Sequence, residues 1–361
     1  MSAFEKAKLV WELRWNPDWV TAVSFLGDTR RLVAGNRLGE MLEWELPDQL
    51  DPAVEAPDPA RRYLGHENAI TKLIATKDGK ALYSASYDHT IRRWDVHAKP
   101  KGEGKVTLNA GTLYRQQFRR SGKKEEPIER TVAVSDKSEI LGGHEEWINA
   151  LTLSTDETLL VSGDDTGKVI IREQVSGQEL RSWKVDGWVH ALALSPDNKR
   201  AVISERRPLV FNSSQRWGLR LWDAEKGEST KDLSEDYKKM YLSALAWSPD
   251  GETIVVGRGE EADGKIWLID ADGKQRKELT PFHKYGVTEF AFHPDGKHLF
   301  SAGRDTVVRV WDFKEGKLVK ELGKPRGGQF KDWIHAIAFN HDGTLLAAAD
   351  MAGQVNLWQL S

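Results

Sequence analysis

Apolar and polar residues alternate in short runs along almost the whole chain. Val287 to Phe292, His298 to Ala302 and Val307 to Trp311 are three such runs, separated by a Pro294-Asp295-Gly296 turn and a second turn at Asp305. Period-two alternation broken by Asp-Gly and Pro predicts short antiparallel strands. The same order stands between His66 and Asp95. In both stretches the His is followed by a Ser at 18 positions, an Asp at 22 and a Trp at 28, giving His66, Ser84, Asp88, Trp94 and His283, Ser301, Asp305, Trp311. Four matched polar or aromatic positions make this an internal repeat.

Partial copies fill the rest. Trp19 to Leu46 keeps Trp44 but lacks the Gly-His and the turn Asp. Gly143-His144 opens a copy with Ser162, Asp164 and Asp165, in which Arg172 replaces the Trp and breaks the set of four. Trp188 to Trp222-Asp223, Tyr241 to Trp267 and Trp333 to Trp358 supply three more, the last with Ala348 and Ala352 where the Ser and Asp would be. A unit of about 40–45 residues with four strands, Gly-His at one end and Trp-Asp at the other, is a propeller blade.

On these residues the chain resembles the WD-repeat family of β-propellers. The resemblance implies an all-β fold: a single seven-bladed β-propeller over residues 1–361, with four-stranded antiparallel blades. Leu9, Trp11, Leu13 and Trp15 alternate with Lys8, Val10, Glu12 and Arg14 ahead of the first unit. That lone strand is expected to close the last blade from outside, which removes an open sheet edge. A buried imidazole needs a partner on each nitrogen, and a buried indole N–H needs an acceptor. A linked Asp, His, Ser and Trp meets these needs, and in the family this tetrad is structural. That role carries to the two complete sets.

Residues 96–142 interrupt the spacing and form an insertion within or after blade two. Lys99 to Arg130 holds nine Lys or Arg against four Glu, with Tyr114 and Phe118 between. Thr131 to Val134 is a candidate extra strand. Glu205 to Arg216, with Arg206, Arg207 and Phe211, is an expanded loop in blade four, Arg258 to Lys265 is lengthened in blade five, and Pro47 to Pro59 reads as a solvated acidic loop.

Composition narrows the function. The net charge of −3 gives no global basic field for nucleic acid or anionic lipid. The absence of cysteine removes disulfides, thiol nucleophiles and thiolate metal sites. The start, MSAFEKAKLV, has no apolar core of signal-peptide length and no later run is long enough to span a bilayer. A cytoplasmic monomer with no cofactor, no metal and no membrane contact is expected.

The functional signal lies where each innermost strand begins. Trp19-Val20-Thr21-Ala22, Trp147-Ile148-Asn149-Ala150, Trp188-Val189-His190-Ala191, Tyr241-Leu242-Ser243-Ala244 and Trp333-Ile334-His335-Ala336 align, while blades two and six carry Ala69 and Gly286 at the aromatic position. The following aliphatic continues the buried set, so the aromatic faces away from it. In WD-repeat proteins this point lies on the face most used for partners, round the channel. Trp19, Trp147, Trp188, Tyr241 and Trp333 then ring one opening, or fold down as caps on the inner strands. Tyr87, Arg304, Arg206 and Arg207 are expected on the same face. An apolar floor with an Arg rim suits a peptide with aromatic or aliphatic anchors and some acid. The expected function is a non-catalytic scaffold that binds a protein or peptide.

Two other classes stay open. A hydrolase or lactonase with a central metal needs carboxylates, Asn or His converging on the channel. The aligned positions offer Thr21, Thr71, Asn149, His190, Ser243, Thr288 and His335, with Glu289 one step on. His190 and His335 come from nearly opposite blades and are expected to hydrogen-bond near the channel. Contact with nucleic acid would run through Lys99 to Arg130.

Overall fold

The structure, a computed structural model, describes residues 4–15, 18–27, 29–108, 127–207, 217–237, 240–259, 263–325 and 333–360. The predicted alternations become seven sheets arranged in a ring, each built on four antiparallel strands. The inner strands are Val20–Phe25, Ile70–Ala75, Ile148–Leu153, Trp188–Leu194, Leu242–Trp247, Val287–Phe292 and Ile334–Phe339. The chain is a seven-bladed β-propeller. The one described helix is the single turn Ser234–Tyr237, and no described helix is long and apolar enough to cross a membrane.

The first strand, Lys8–Arg14, pairs antiparallel with the last, Gln354–Gln359, from Lys8 opposite Gln359 to Arg14 opposite Gln354. It is the outer strand of blade seven, so hydrogen bonds between the chain ends close the ring.

Blade one has six strands. Gly102–Leu108 and Ile128–Ser135 form a hairpin, and Ile128–Ser135 runs parallel to the short outer strand Arg61–Tyr63. Thr131 to Val134 lies within this second strand. Val106, Leu108 and Val132 bury against Trp11 and Trp15 in one cluster. The chain thus leaves blade two after its third strand, Thr90–Asp95, lays a hairpin on blade one, and returns as Ser138–Gly143, the outer strand of blade two. Tyr114 and Phe118 fall in 109–126, outside the described residues.

The core is not one mass. Seven apolar clusters each fill the seam between two neighbouring blades. Trp44, Trp94, Trp222, Trp267 and Trp311 are buried in five of these seams, and Trp358 packs against a sixth. Arg172 takes the Trp position beside the seventh and is itself buried. Aromatics from the outer edge of one blade meet this Trp in the next: Tyr63 lies 5.5 Å from Trp94, Trp183 5.9 Å from Trp222 and Tyr237 5.5 Å from Trp267.

Polar pins hold the strands within a blade. His66 Nδ1 meets Asp88 at 2.6 Å and Nε2 meets Ser84 at 2.6 Å, while Trp94 Nε1 donates to Ser84 Oγ at 2.8 Å. His283, Asp305, Ser301 and Trp311 repeat the linkage at 2.7–2.9 Å. In blade three His144 still bridges Asp164 and Ser162, both at 2.8 Å, and Arg172 donates to the carbonyls of Gly177 and Gly143 instead. Blade one, which has no such set, uses Glu43: Arg31 binds it through two nitrogens at 2.8 and 2.9 Å, and the Tyr63 hydroxyl donates to it. In blade seven Asp350, two residues before Ala352, accepts the Ala352 and Gln354 amides that close the turn.

Candidate functional site

Every inner strand carries a β-bulge at the same place. The register shifts between Val20 and Ala22, Ile70 and Lys72, Ile148 and Ala150, Val189 and Ala191, Leu242 and Ala244, Val287 and Glu289, and Ile334 and Ala336. A bulge leaves one residue out of the ladder and re-aims its side chain. The seven displaced residues are Thr21, Thr71, Asn149, His190, Ser243, Thr288 and His335, and all line one funnel of ≈ 450 Å³. Thr21, Asn149 and Ser243 donate across to the carbonyls of Ile70, Val189 and Val287, at 2.5, 3.1 and 2.5 Å. These bonds stitch a blade to the next around the channel.

The aligned aromatics stand above this ring in two groups. Trp19, Tyr241 and Trp333 are half-buried and form the funnel wall, together with Tyr87, Arg37 and Arg304. Trp147 and Trp188 stay 46% and 40% exposed. Each aromatic is tied to the turn that follows the second strand. The amides of Arg37, Asp165, Gly259 and Met351 donate to the carbonyls of Trp19, Trp147, Tyr241 and Trp333, and those of Tyr87 and Arg304 to Ala69 and Gly286. In blade four Arg206 pairs with Trp188 in the ladder.

The turn residues cover the rings. Arg37 lies 4.5 Å from the Trp19 ring, Arg304 4.6 Å from Trp333, and Arg206 5.0 Å from Trp188 and 5.5 Å from Trp217. Tyr87 stacks on Trp147 at 4.8 Å, and His335 on Trp19 at 5.8 Å. Blades two and six, which have small residues at the aromatic position, therefore reach over to the aromatic of the next blade. Arg207 does otherwise: it binds Glu205 at 2.8 and 3.0 Å and nears Asp186 at 3.8 Å, away from the funnel. Phe211 lies outside the described residues.

Electrostatics follow from this packing. His190 and the Tyr241 hydroxyl share a hydrogen bond. Burial, with the charges of Arg206 and Arg304, lowers His190 to about 4, and burial with Arg304 and Lys72 lowers His335 to about 4. Both imidazoles are neutral at pH 7. Burial pushes Tyr241 up to about 12. Below them Lys72 of blade two and Glu289 of blade six form an ion pair across the channel, and Glu289 also accepts the Ile337 amide at 2.8 Å. Both residues line the funnel and also a second cavity of ≈ 500 Å³ on the opposite side, so the pair stands between the two. Among the described residues no group of three or more His, Asp or Glu is placed to hold a metal ion.

Sequence reasoning missed Arg37, Trp217 and the Lys72–Glu289 pair. Arg37 occupies the position of Tyr87 and Arg304 in blade one, where the missing turn Asp hid the alignment. Trp217 follows the irregular 208–216 stretch and has no counterpart in the repeat, yet lies 4.8 Å from Tyr241. The ion pair joins residues more than 200 positions apart and leaves no local signal.

The family model described as "WD domain, G-beta repeat" matches residues 58–95, 135–172, 231–270, 273–312 and 317–359. The chain belongs to the WD-repeat family. Its WD repeats straddle blades: residues 273–312 begin with the outer strand of blade five, Gln275–His283, and end with the third strand of blade six, Val308–Asp312. Relatives include the small ribosomal subunit protein RACK1 of Glycine max, 26% identical over 326 residues, covering 71% of this chain and 96% of that protein. Periodic tryptophan protein 2 of Arabidopsis thaliana is 25% identical over 217 residues, 60% of this chain and 22% of its own length. The 66 kDa stress protein of Physarum polycephalum is 24% identical over 345 residues, 93% of this chain and 45% of its own. The match thus spans nearly all of RACK1 but less than half of the other two.

Proposed function

We propose that this WD-repeat propeller is a non-catalytic platform that binds a peptide segment or partner protein on the aromatic face around the channel mouth. The observation that carries this is the exposure of Trp147 and Trp188, 46% and 40%, beside a funnel walled by Trp19, Tyr241 and Trp333. Soluble proteins seldom leave such apolar surface bare without use, and Trp and Tyr dominate binding hot spots. The one carboxylate one step from the channel ring, Glu289, is neutralised by Lys72, which favours binding over hydrolysis. Three of the described basic residues of the insertion are paired as well: Lys101 with Asp136, Lys105 with Glu129 and Arg130 with Asp58. This favours a protein partner over nucleic acid. The names of the RACK1 relatives speak of assembly into a larger particle, the same kind of role. The protein acts here as a cytoplasmic monomer.

The test is a pulldown from native extract with the wild type and with Trp147→Ala/Trp188→Ala. The double variant is expected to lose its partners and keep its melting temperature. Retained capture, or gross unfolding in its place, overturns the reading.

A further inference from the structure

We infer that the mouth selects a peptide rich in Asp or Glu, with its carboxylates held between Arg37 and Arg304 and a further acid at Arg206. This rests on the platform reading above and names the chemistry of the partner.

The inference comes from how the arginines are used. Several others sit on carboxylates, such as Arg31 on Glu43 at 2.8 Å, Arg220 on Asp186 at 2.6 Å, Arg258 on Asp263 at 2.7 Å and Arg309 on Asp305 at 2.8 Å, while Arg172 and Arg200 bind carbonyls. The chain carries 55 acids to 52 bases, so acids are not scarce. Yet among the described residues Arg37, Arg206 and Arg304 have no carboxylate in ion-pair contact. Each lies on an indole face, 4.5–5.0 Å from the ring centre. An indole holds a guanidinium in place without neutralising it. The flat face is covered, while the edge with its fork of N–H donors stays free for a carboxylate.

The same contacts work against the opposite ligand at this point. Arg37 and Arg304 each cover one ring face, of Trp19 and Trp333, and their charges repel a lysine or methylated amine. The surroundings also favour anions. Thr71 Oγ1, Thr288 Oγ1 and His335 Nε2 line the funnel beneath the arginines as buried polar atoms without a hydrogen-bond partner. The counter-charge lies to one side: Asp165 of blade three, held by Asn149. A bound segment is therefore oriented, its paired acids over blades six, seven and one and the further acid at Arg206 of blade four.

The experiment is selection of random peptides of about twelve residues on the full-length protein, followed by fluorescence anisotropy with synthetic copies of the enriched sequences. Enrichment in Asp and Glu is expected. Binding should weaken about tenfold or more in Arg37→Gln/Arg304→Gln, on replacing the peptide's Glu by Gln, and on raising salt from about 50 to about 500 mM. Arg37→Lys/Arg304→Lys should fall between, because charge remains and the fork is lost. Circular dichroism melts confirm that each variant folds. Peptides without acidic bias that bind wild type and Arg37→Gln/Arg304→Gln alike, but not Trp147→Ala/Trp188→Ala, overturn the acidic preference and leave the platform standing. Peptides indifferent to both double variants, or none at all, overturn both. An oligodeoxythymidine that competes as well as the acidic peptide shows a general anion site and removes the peptide assignment.

Discussion

Blades two and six use the repeat differently from the other five. Both carry the full His-Ser-Asp-Trp linkage, a small residue at the mouth, and a charged residue at the channel position, Lys72 or Glu289. The other five put Trp or Tyr at the mouth and Ala at the channel position, namely Ala22, Ala150, Ala191, Ala244 and Ala336. The two charged positions meet across the channel, and Tyr87 and Arg304 lean onto the aromatic of the next blade. One pair of blades thus braces the ring and seals the floor, while the rest present apolar surface. Sequence equivalence fixes where a residue sits, and the residue type then decides whether that position braces the ring or leaves apolar surface at the mouth.

Removing a Trp of each kind gives the largest contrast. Trp311→Ala empties a seam and should cost about 3–5 kcal/mol in chemical denaturation, whereas Trp188→Ala should cost under about 1 kcal/mol. Near-equal losses would break the division between seam and mouth tryptophans. Gly286 explains why blade six has no mouth aromatic: its φ is +107° and a Cβ would stand 2.6 Å from the backbone of Gly259. Gly286→Ala should destabilise by about 2–3 kcal/mol, and a neutral result would remove that explanation.

The pH dependence separates the buried histidines from the tetrad carboxylate. His190 and His335 have folded values of about 4 against 6.5 when unfolded. Below pH 6.5 the unfolded chain takes up protons that the folded chain refuses, so stability falls as pH drops toward 4 and then levels. Burial also lowers His283, which adds to this stage. Asp305 opposes it. Burial raises its value, but bonds to His283 and Arg309 prevail and lower it to about 2. Its contribution is present above pH 3.8 and is lost as pH falls toward 2. His335→Asn should flatten the slope between pH 6.5 and 4 by about 2 kcal/mol in total and leave the lower stage alone. An unchanged slope would show that His335 titrates normally. The smallest effect concerns the ion pair. Lys72→Glu should cost about 1 kcal/mol, and adding Glu289→Lys should restore most of it. A swap that restores nothing would show that the pair does not brace the ring.

Much of the fold was legible because repetition sets it. Alternation, Asp-Gly turns and the recurring Trp gave the strands, the seven units and the closing role of Lys8–Arg14. Weaker copies were harder to read. Asp350 substitutes for the expected turn Asp two residues early, and Glu43 replaces a whole tetrad in blade one, because different side chains can satisfy the same buried groups. At the mouth, the aromatic positions were visible from alignment. Their partners were not: Arg37, Trp217 and Lys72 are placed by the bulges, the turns and the ring, and no local spacing encodes those distances.

By itself the amino-acid order determined the period of the strands, the number of blades and which positions face the seams, since each depends on local alternation and on a unit that cannot bury its faces alone. Only the tertiary structure decided that the insertion hairpin extends blade one, that Lys72 finds Glu289, and that three arginines at the mouth rest on indoles instead of carboxylates. Closing the ring brings distant blades together, and the charge a side chain meets there depends on that geometry.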